Sequence, residues 1–133
     1  MKFILDTHTW LWWVLEPELL SQKAIEIIAN KDKIYLSAVS TWEVSVKSSI
    51  GKLTLPGGHE QFIADAYRLD GFLPLAITPD HTIPVGALPF FHKDPFDRLL
   101  VAQAMCEGAT ILTSDPLIKQ YSASVLDPGA SSR

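Results

Sequence analysis

The chain has 133 residues, 47% hydrophobic and 20% charged, with a formal net charge of −4 and one cysteine; this fits one globular unit and excludes collagen-like, low-complexity and disordered chains. The longest apolar run, Trp10 to Leu15, is far short of the roughly 20 residues that a membrane helix needs, and Asp6 interrupts the only early apolar stretch, which argues against a secretory leader. Cys106 has no cysteine to pair with, which suits a reducing cytoplasm, and the acidic balance leaves no overall basic charge to advertise a nucleic-acid binder.

In chain order, Lys2 to Leu5 predicts a buried strand closed by Asp6, and Thr7 to Leu15 a brief helix that is apolar nearly all round. Ser21 caps a second helix, whose Ala24, Ile25 and Ile28 fall at helical spacing; Asn30 to Lys33 reads as a turn. Ile34 to Ser37 is a second strand, and Ser40 opens a helix running to about Ile50, stopped by Gly51. After the Pro56-Gly57-Gly58 loop, a helix is expected from about Glu60 to Leu69, then a third strand from Leu73 to Thr78 that Pro74 weakens. Pro84, Gly86 and Pro89 break the segment Asp80 to Phe91 into turns or an interrupted helix. Asp94-Pro95 starts a strong helix ending near Gly108, followed by a strand at Thr110 to Thr113, a short helix at Pro116 to Tyr121 and a strand at Ser124 to Leu126. Residues 1–127 are expected to form a single domain and 128–133 a mobile tail. Alternating strands and helices predict a three-layer α/β/α sandwich around a mostly parallel sheet of four to five strands, in which ligands bind outside the carboxyl ends of the strands.

Four acids share that address: Asp6 after the first strand, Glu43 in the first turn of the helix after the second strand, Asp97 in the first turn of the helix from Asp94, and Asp115 after the fourth strand. Each also has a local explanation. Ser40-x-x-Glu43 reads as a capping box, Asp94 and Asp115 precede prolines as N-caps do, and Asp6 fits an Asx-turn. Their joint position weighs more. Asp97 heads the apolar stripe of Leu100, Val101 and Ala104, where an unpartnered charge is seldom buried. Two unit charges about 5 Å apart repel by roughly 3 kcal/mol at an effective dielectric of 20, whereas a helix N-terminus returns only about 0.3–1 kcal/mol. Such a cluster calls for a cation, and hard oxygen donors without paired His or Cys point to Mg2+ or Mn2+ rather than zinc. His8 and His92 lie beside the site and within reach of a substrate. A magnesium site of this kind suits phosphodiester cleavage without a covalent protein nucleophile; no Gly-x-Ser-x-Gly, Walker or Gly-x-Gly-x-x-Gly motif competes.

The segments Phe3-Ile4-Leu5-Asp6-Thr7-His8, Ser37 to Val44, Gly51-Lys52-Leu53, His92 to Ala104 and Leu112-Thr113-Ser114-Asp115, taken in order, resemble a PIN-domain protein and more narrowly the VapC-type toxins of bacterial toxin–antitoxin pairs. Haloacid-dehalogenase phosphatases and receiver domains match poorly, because Asp6-Thr7-His8 lacks their acidic pair. The resemblance implies a metal-dependent ribonuclease acting on transfer or ribosomal RNA, held inactive by a small antitoxin, and a homodimer. It carries Asp6, Glu43 and Asp97 over as metal-binding acids with Asp115 as the fourth, Thr7 and Thr113 as polar supports, and Asp94 as an N-cap or a support behind the ligands. Arg98, Lys47, Lys52 and Lys93 flank the proposed rim as candidate phosphate partners. Trp10 to Leu15 crowd more apolar surface into one short helix than one face buries, which suggests an interface. The rival readings are a PIN nuclease serving nucleic-acid processing or repair and a non-catalytic RNA-binding PIN domain.

Overall fold

The computed structural model describes residues 1–130. Five short strands, β1 (Phe3–Leu5), β2 (Ile34–Ser37), β3 (Leu73–Leu75), β4 (Thr110–Leu112) and β5 (Ser124–Leu126), form one parallel sheet in the order β3-β2-β1-β4-β5. Pro74, which removes a ladder donor, is tolerated because β3 lies at the sheet edge. Side chains alternate across the strands: Leu5, Ile34, Leu36 and Leu112 enter one apolar cluster, whereas Ile4 and Ile111 enter the other.

Helices cover both faces. Helix α1 (Thr7–Leu15), α2 (Gln22–Ala29) and α4 (His59–Arg68) send Trp10, Ala24, Ile28, Phe62 and Ala66 into the first cluster. Helix α6 (Pro95–Glu107) covers the other face with Leu99, Leu100, Val101 and Ala104. Helix α3 (Ala38–Ser49) crosses between them, with Val39 in one cluster and Val44 in the other. The broken segment holds a single-turn α5 (Pro79–Thr82) and a 3-10 stretch, Ile83–Ala87. Among the described residues no helix is long and apolar enough to cross a membrane.

Three local expectations are corrected. Helix α3 starts at Ala38, not Ser40, because Ser37 Oγ accepts the Val39 N–H at 3.0 Å and acts as the cap. Glu43 therefore sits in the second turn, past any orphan backbone donor, and the capping-box reading fails. Trp10 is fully buried and belongs to the core, so the apolar excess of α1 reduces to the half-buried Trp12 and Trp13 and the exposed Val14 and Leu15. Pro128 to Ala130 do not begin a free tail: Ser21 N–H donates to Pro128 O at 2.9 Å and Ala130 N–H to Leu19 O at 2.7 Å. Residues 131–133 lie outside the described residues.

Candidate metal centre

The strand order reverses between β1 and β4, which opens a crevice at their carboxyl ends. Asp6 leaves β1 there and caps α1, its Oδ1 accepting the Thr9 N–H at 2.7 Å. Burial pushes its carboxyl above the usual range, opposed only in part by hydrogen bonds from the Thr113 and Thr9 side chains. Thr113, fully buried after β4, also accepts the Asp115 N–H at 3.0 Å, so its one hydroxyl proton is free for Asp6. One threonine thus fixes two of the acids.

Glu43 is buried, with the Thr7 hydroxyl 2.6 Å from Oε1 and Ser40 Oγ a further 3.0 Å from Thr7 Oγ1. Its Oε2 accepts from Lys47, one helical turn on. Desolvation works against the charge on Lys47, yet Glu43, Asp94 and Asp97 together hold its pKa above the ordinary value.

At the head of α6, Asp94 Oδ1 accepts the Phe96 N–H at 2.8 Å and the Asp97 N–H at 3.4 Å, as an N-cap should. Asp97, one-fifth exposed, lies under repulsion from three sides. Burial first, then Asp94, Glu43 and Asp6, push its pKa up to about 7 against the opposing pull of His92. Those carboxylates are close enough to feel one another. Asp115 Oδ1 accepts the Leu117 N–H at 2.8 Å and its Oδ2 meets His92 Nε2 at 2.8 Å. Its partial burial is outweighed by the hydrogen bonds from His92 and the backbone, and its pKa falls below the usual value.

His92 joins the last two acids, its Nε2 lying 3.0 Å from Asp97 Oδ2 and 2.8 Å from Asp115 Oδ2. The backbone N–H of Asp94 donates to its Nδ1 at 3.1 Å, so Nδ1 carries no proton and Nε2 must carry one. Oxygens of Asp97 and Asp115 and the imidazole lie within 4.8 Å of one another. Asp6 and Asp115 also share an open cleft with His8, Thr9, Trp12 and Ser114, while Glu43 and Lys47 line the adjoining depression with Thr7 and His8. The donor set is therefore all carboxylate and in charge excess, which fits a hard divalent ion such as Mg2+ or Mn2+. His92, fixed as a donor, does not belong to that ligand set.

His81, Cys106 and Glu107 bring three further ligand atoms together. The Thr78 N–H donates to His81 Nδ1 at 3.0 Å, leaving Nε2 protonated and bonded to Glu107 at 2.8 Å. That ring is a capping group for α5, not a ligand.

The expected phosphate partners are redistributed. Arg98 is buried and spends its guanidinium on the carbonyls of Pro89 at 2.9 Å, Val85 at 3.0 Å, Leu88 at 3.3 Å and His92 at 3.4 Å. It ties down the loop before α6 and is buried against the scaffold instead of lying exposed on the rim as the sequence reading expected. Lys47 is engaged by Glu43, whereas Lys52 and Lys93 are exposed. Sequence reasoning missed the bridging role of His92 and the part of Tyr121, whose hydroxyl accepts the His92 N–H at 3.0 Å and donates to Pro89 O at 2.6 Å. The adjacency of His92 to Asp94 was a signal for the first; nothing in the sequence marks the second.

The model of the PIN domain family matches residues 3–123. The chain belongs to the PIN-domain family. It is 31% identical over 122 residues to a protein named Ribonuclease VapC22 of Mycobacterium tuberculosis (strain ATCC 25618 / H37Rv), covering 89% of this chain and 90% of that one. Its PIN fold is similar to the crystal structure of DNA-bound VapBC from Salmonella typhimurium, with a TM-score of 0.67 and 16% identity over 96% of this chain and 98% of that one. It is similar also to VapBC2 of Rickettsia felis bound to a promoter DNA fragment, with a TM-score of 0.69 and 17% identity over 96% and 98% of the two chains. At those identities the likeness speaks for the PIN fold alone.

Proposed function

We propose that the chain is a metal-dependent endoribonuclease, the toxin of a VapBC-type pair, neutralised by a small antitoxin and working in the cytoplasm with residues 1–127 as its catalytic unit. The observation that supports this reading is the acidic crevice at the carboxyl rim of a PIN sheet, where oxygens of Asp97 and Asp115 lie within 4.8 Å of one another, Asp6 and Asp115 line one cleft, and Asp6 and Glu43 are close enough to help raise the pKa of Asp97. A relative named a ribonuclease and structural neighbours that are toxin–antitoxin complexes support it.

Asp6, Glu43 and Asp97 would hold the ion, with Asp115 completing the rim. Bound there, a divalent ion would lower the pKa of a water and offset charge on the phosphorus-centred transition state. The chain's own groups orient the acids: Thr113 fixes Asp6 and the turn at Asp115, Thr7 fixes Glu43, and Asp94 caps the helix that presents Asp97. Lys93 is free to meet a phosphate, and Lys47 balances Glu43. Attack by water rather than by the ribose 2′-hydroxyl leaves 5′-phosphate and 3′-hydroxyl ends.

The test uses purified, antitoxin-free protein with transfer and ribosomal RNA and Mg2+ or Mn2+. Asp6→Asn and Asp97→Asn should each cut at least about a hundredfold more slowly, more than is lost when a group behind the ligands is removed. Equal cleavage by either variant overturns the mechanism. RNA binding without any cleavage by the parent favours the non-catalytic reading.

A further inference from the structure

Four carboxylates on one rim repel, and a donor standing between two of them offsets part of that repulsion. Such a donor stands between Asp97 and Asp115. The His92 side chain is about one-tenth exposed, and its Nε2–H points between Asp97 Oδ2 at 3.0 Å and Asp115 Oδ2 at 2.8 Å. The ring cannot readily turn away: Asp94 N–H donates to Nδ1 at 3.1 Å, and the backbone of His92 is fastened by Tyr121 Oη at 3.0 Å and by Arg98. Asp115 has no oxygen without a donor, since Leu117 N–H takes Oδ1 at 2.8 Å. Both oxygens of Asp115 therefore already carry a donor, and a cation bridging Asp115 and Asp97 would take the place that the His92 Nε2–H fills between their Oδ2 atoms.

We propose that His92 is a positioning residue that holds Asp97 and Asp115 together when no cation does, and that competes with a divalent cation for the same two carboxylates. The inference rests on the functional reading above and deepens it. In the metal-free protein, His92 supplies the partial positive charge that keeps the rim folded and the acids in register. On metal binding, its Nε2–H gives up at least one carboxylate. The assembled rim is preserved at the expense of cation affinity, so the ion must be abundant to bind. A histidine acting as a ligand makes the opposite prediction, because removing it would weaken binding.

The experiment compares the parent with His92→Phe, which keeps ring volume and loses the donor, and with His92→Gln, whose amide can still donate. Mn2+ binding is measured by calorimetry, and melting in chelator and in saturating Mn2+ by circular dichroism. Phe at this position should lower the melting temperature in chelator, enlarge the Mn2+-induced rise, and tighten Mn2+ binding by about tenfold, the scale of a lost charge-assisted hydrogen bond. Gln should behave like the parent. Unchanged or weaker Mn2+ binding by His92→Phe overturns the inference.

A measurement on the unaltered protein covers the case in which Phe prevents folding. The imidazole Nε2–H resonance of His92, assigned by its loss in His92→Gln, should be strongly hydrogen-bonded in chelator and shift on saturation with diamagnetic Mg2+. A resonance that Mg2+ leaves in place overturns the inference. A parent that binds no divalent ion overturns the functional reading itself, whereas one that binds while His92→Phe fails to bind more tightly overturns only the role of His92.

Discussion

At the scale of the residue, the buried charge of Arg98 shows how much one side chain depends on its surroundings. Its guanidinium meets four carbonyls of the segment Val85 to His92 and the Tyr121 hydroxyl at 3.3 Å, while Phe90 lies across it at 4.1 Å. A planar fork can serve that many acceptors and a single ammonium cannot. Arg98→Lys should therefore cost about 2 kcal/mol or more in urea unfolding, and Arg98→Met about 3 kcal/mol or more, since it strands the acceptors. A Lys variant as stable as the parent would show that the network is unimportant. The places of Asp6 and Asp115 after their strands and of Asp97 at the start of α6 were legible in the sequence, and so were Thr7 and Thr113 beside them; the place of Glu43 in the second turn of α3 was not. Nor was Arg98. One residue past an acid at a helix start, it looks exposed, and only the packing of the preceding loop buries it.

At the scale of the element, short strands leave cap chemistry to decide where helices begin. Ser37 rather than Ser40 caps α3, and this three-residue difference takes Glu43 off the backbone and leaves its carboxylate to the Thr7 and Lys47 side chains. Both serines satisfy the same local rule, so sequence could not choose between them; the end of β2 at Ser37 does. The turn after β5 has a pH-sensitive fastening of its own. Asp127 receives Lys119 at 2.6 Å, Gly129 N–H at 2.8 Å and Ser114 at 2.7 Å, and its pKa is brought down to about 2, chiefly by Lys119. An unfolded Asp titrates near 3.9. Its stabilisation is thus fully present above about pH 4 and is lost as the pH falls toward 2. Asp127→Asn should be less stable than the parent at pH 6, by no more than about 1 kcal/mol for so exposed a pair, and the gap should close between about pH 4 and 2. Thermal melts across that range decide it; a gap independent of pH would assign the loss to packing.

At the scale of the whole molecule, the parallel sheet gathers the carboxyl ends of its strands and the starts of the helices that follow them, such as α1 and α3, on one rim, and the reversal of strand order between β1 and β4 turns that rim into a crevice. Helix α1 links this crevice to an apolar surface. Trp12 lines the cleft with Asp6 and Asp115, while Val14 and Leu15 continue outward, each 42% exposed. A partner that covers the apolar end of α1 would therefore also reach the acids. In variants retaining one tryptophan, antitoxin binding should shield Trp12 from acrylamide quenching, and fully buried Trp10 should not respond. Unchanged quenching of Trp12 in the complex would place the antitoxin elsewhere.

What the sequence by itself determined was the class of the fold and the kinds of groups at its carboxyl rim. Apolar periodicity, breakers and caps are local, and β1, α1, α2, β2, α6 and β4 follow from them within a residue or so. Carboxylates placed after strands and at helix starts follow from the same pattern. Only the tertiary structure decided which polar side chains face the acids and which serve the scaffold. It turned Arg98 and Tyr121 inward, buried Trp10, fastened Pro128 to Ala130 against Leu19 to Ser21 and put the His92 proton between two acids. Those outcomes depend on contacts between segments distant along the chain, where a side chain's partner is set by packing and not by its neighbours in sequence.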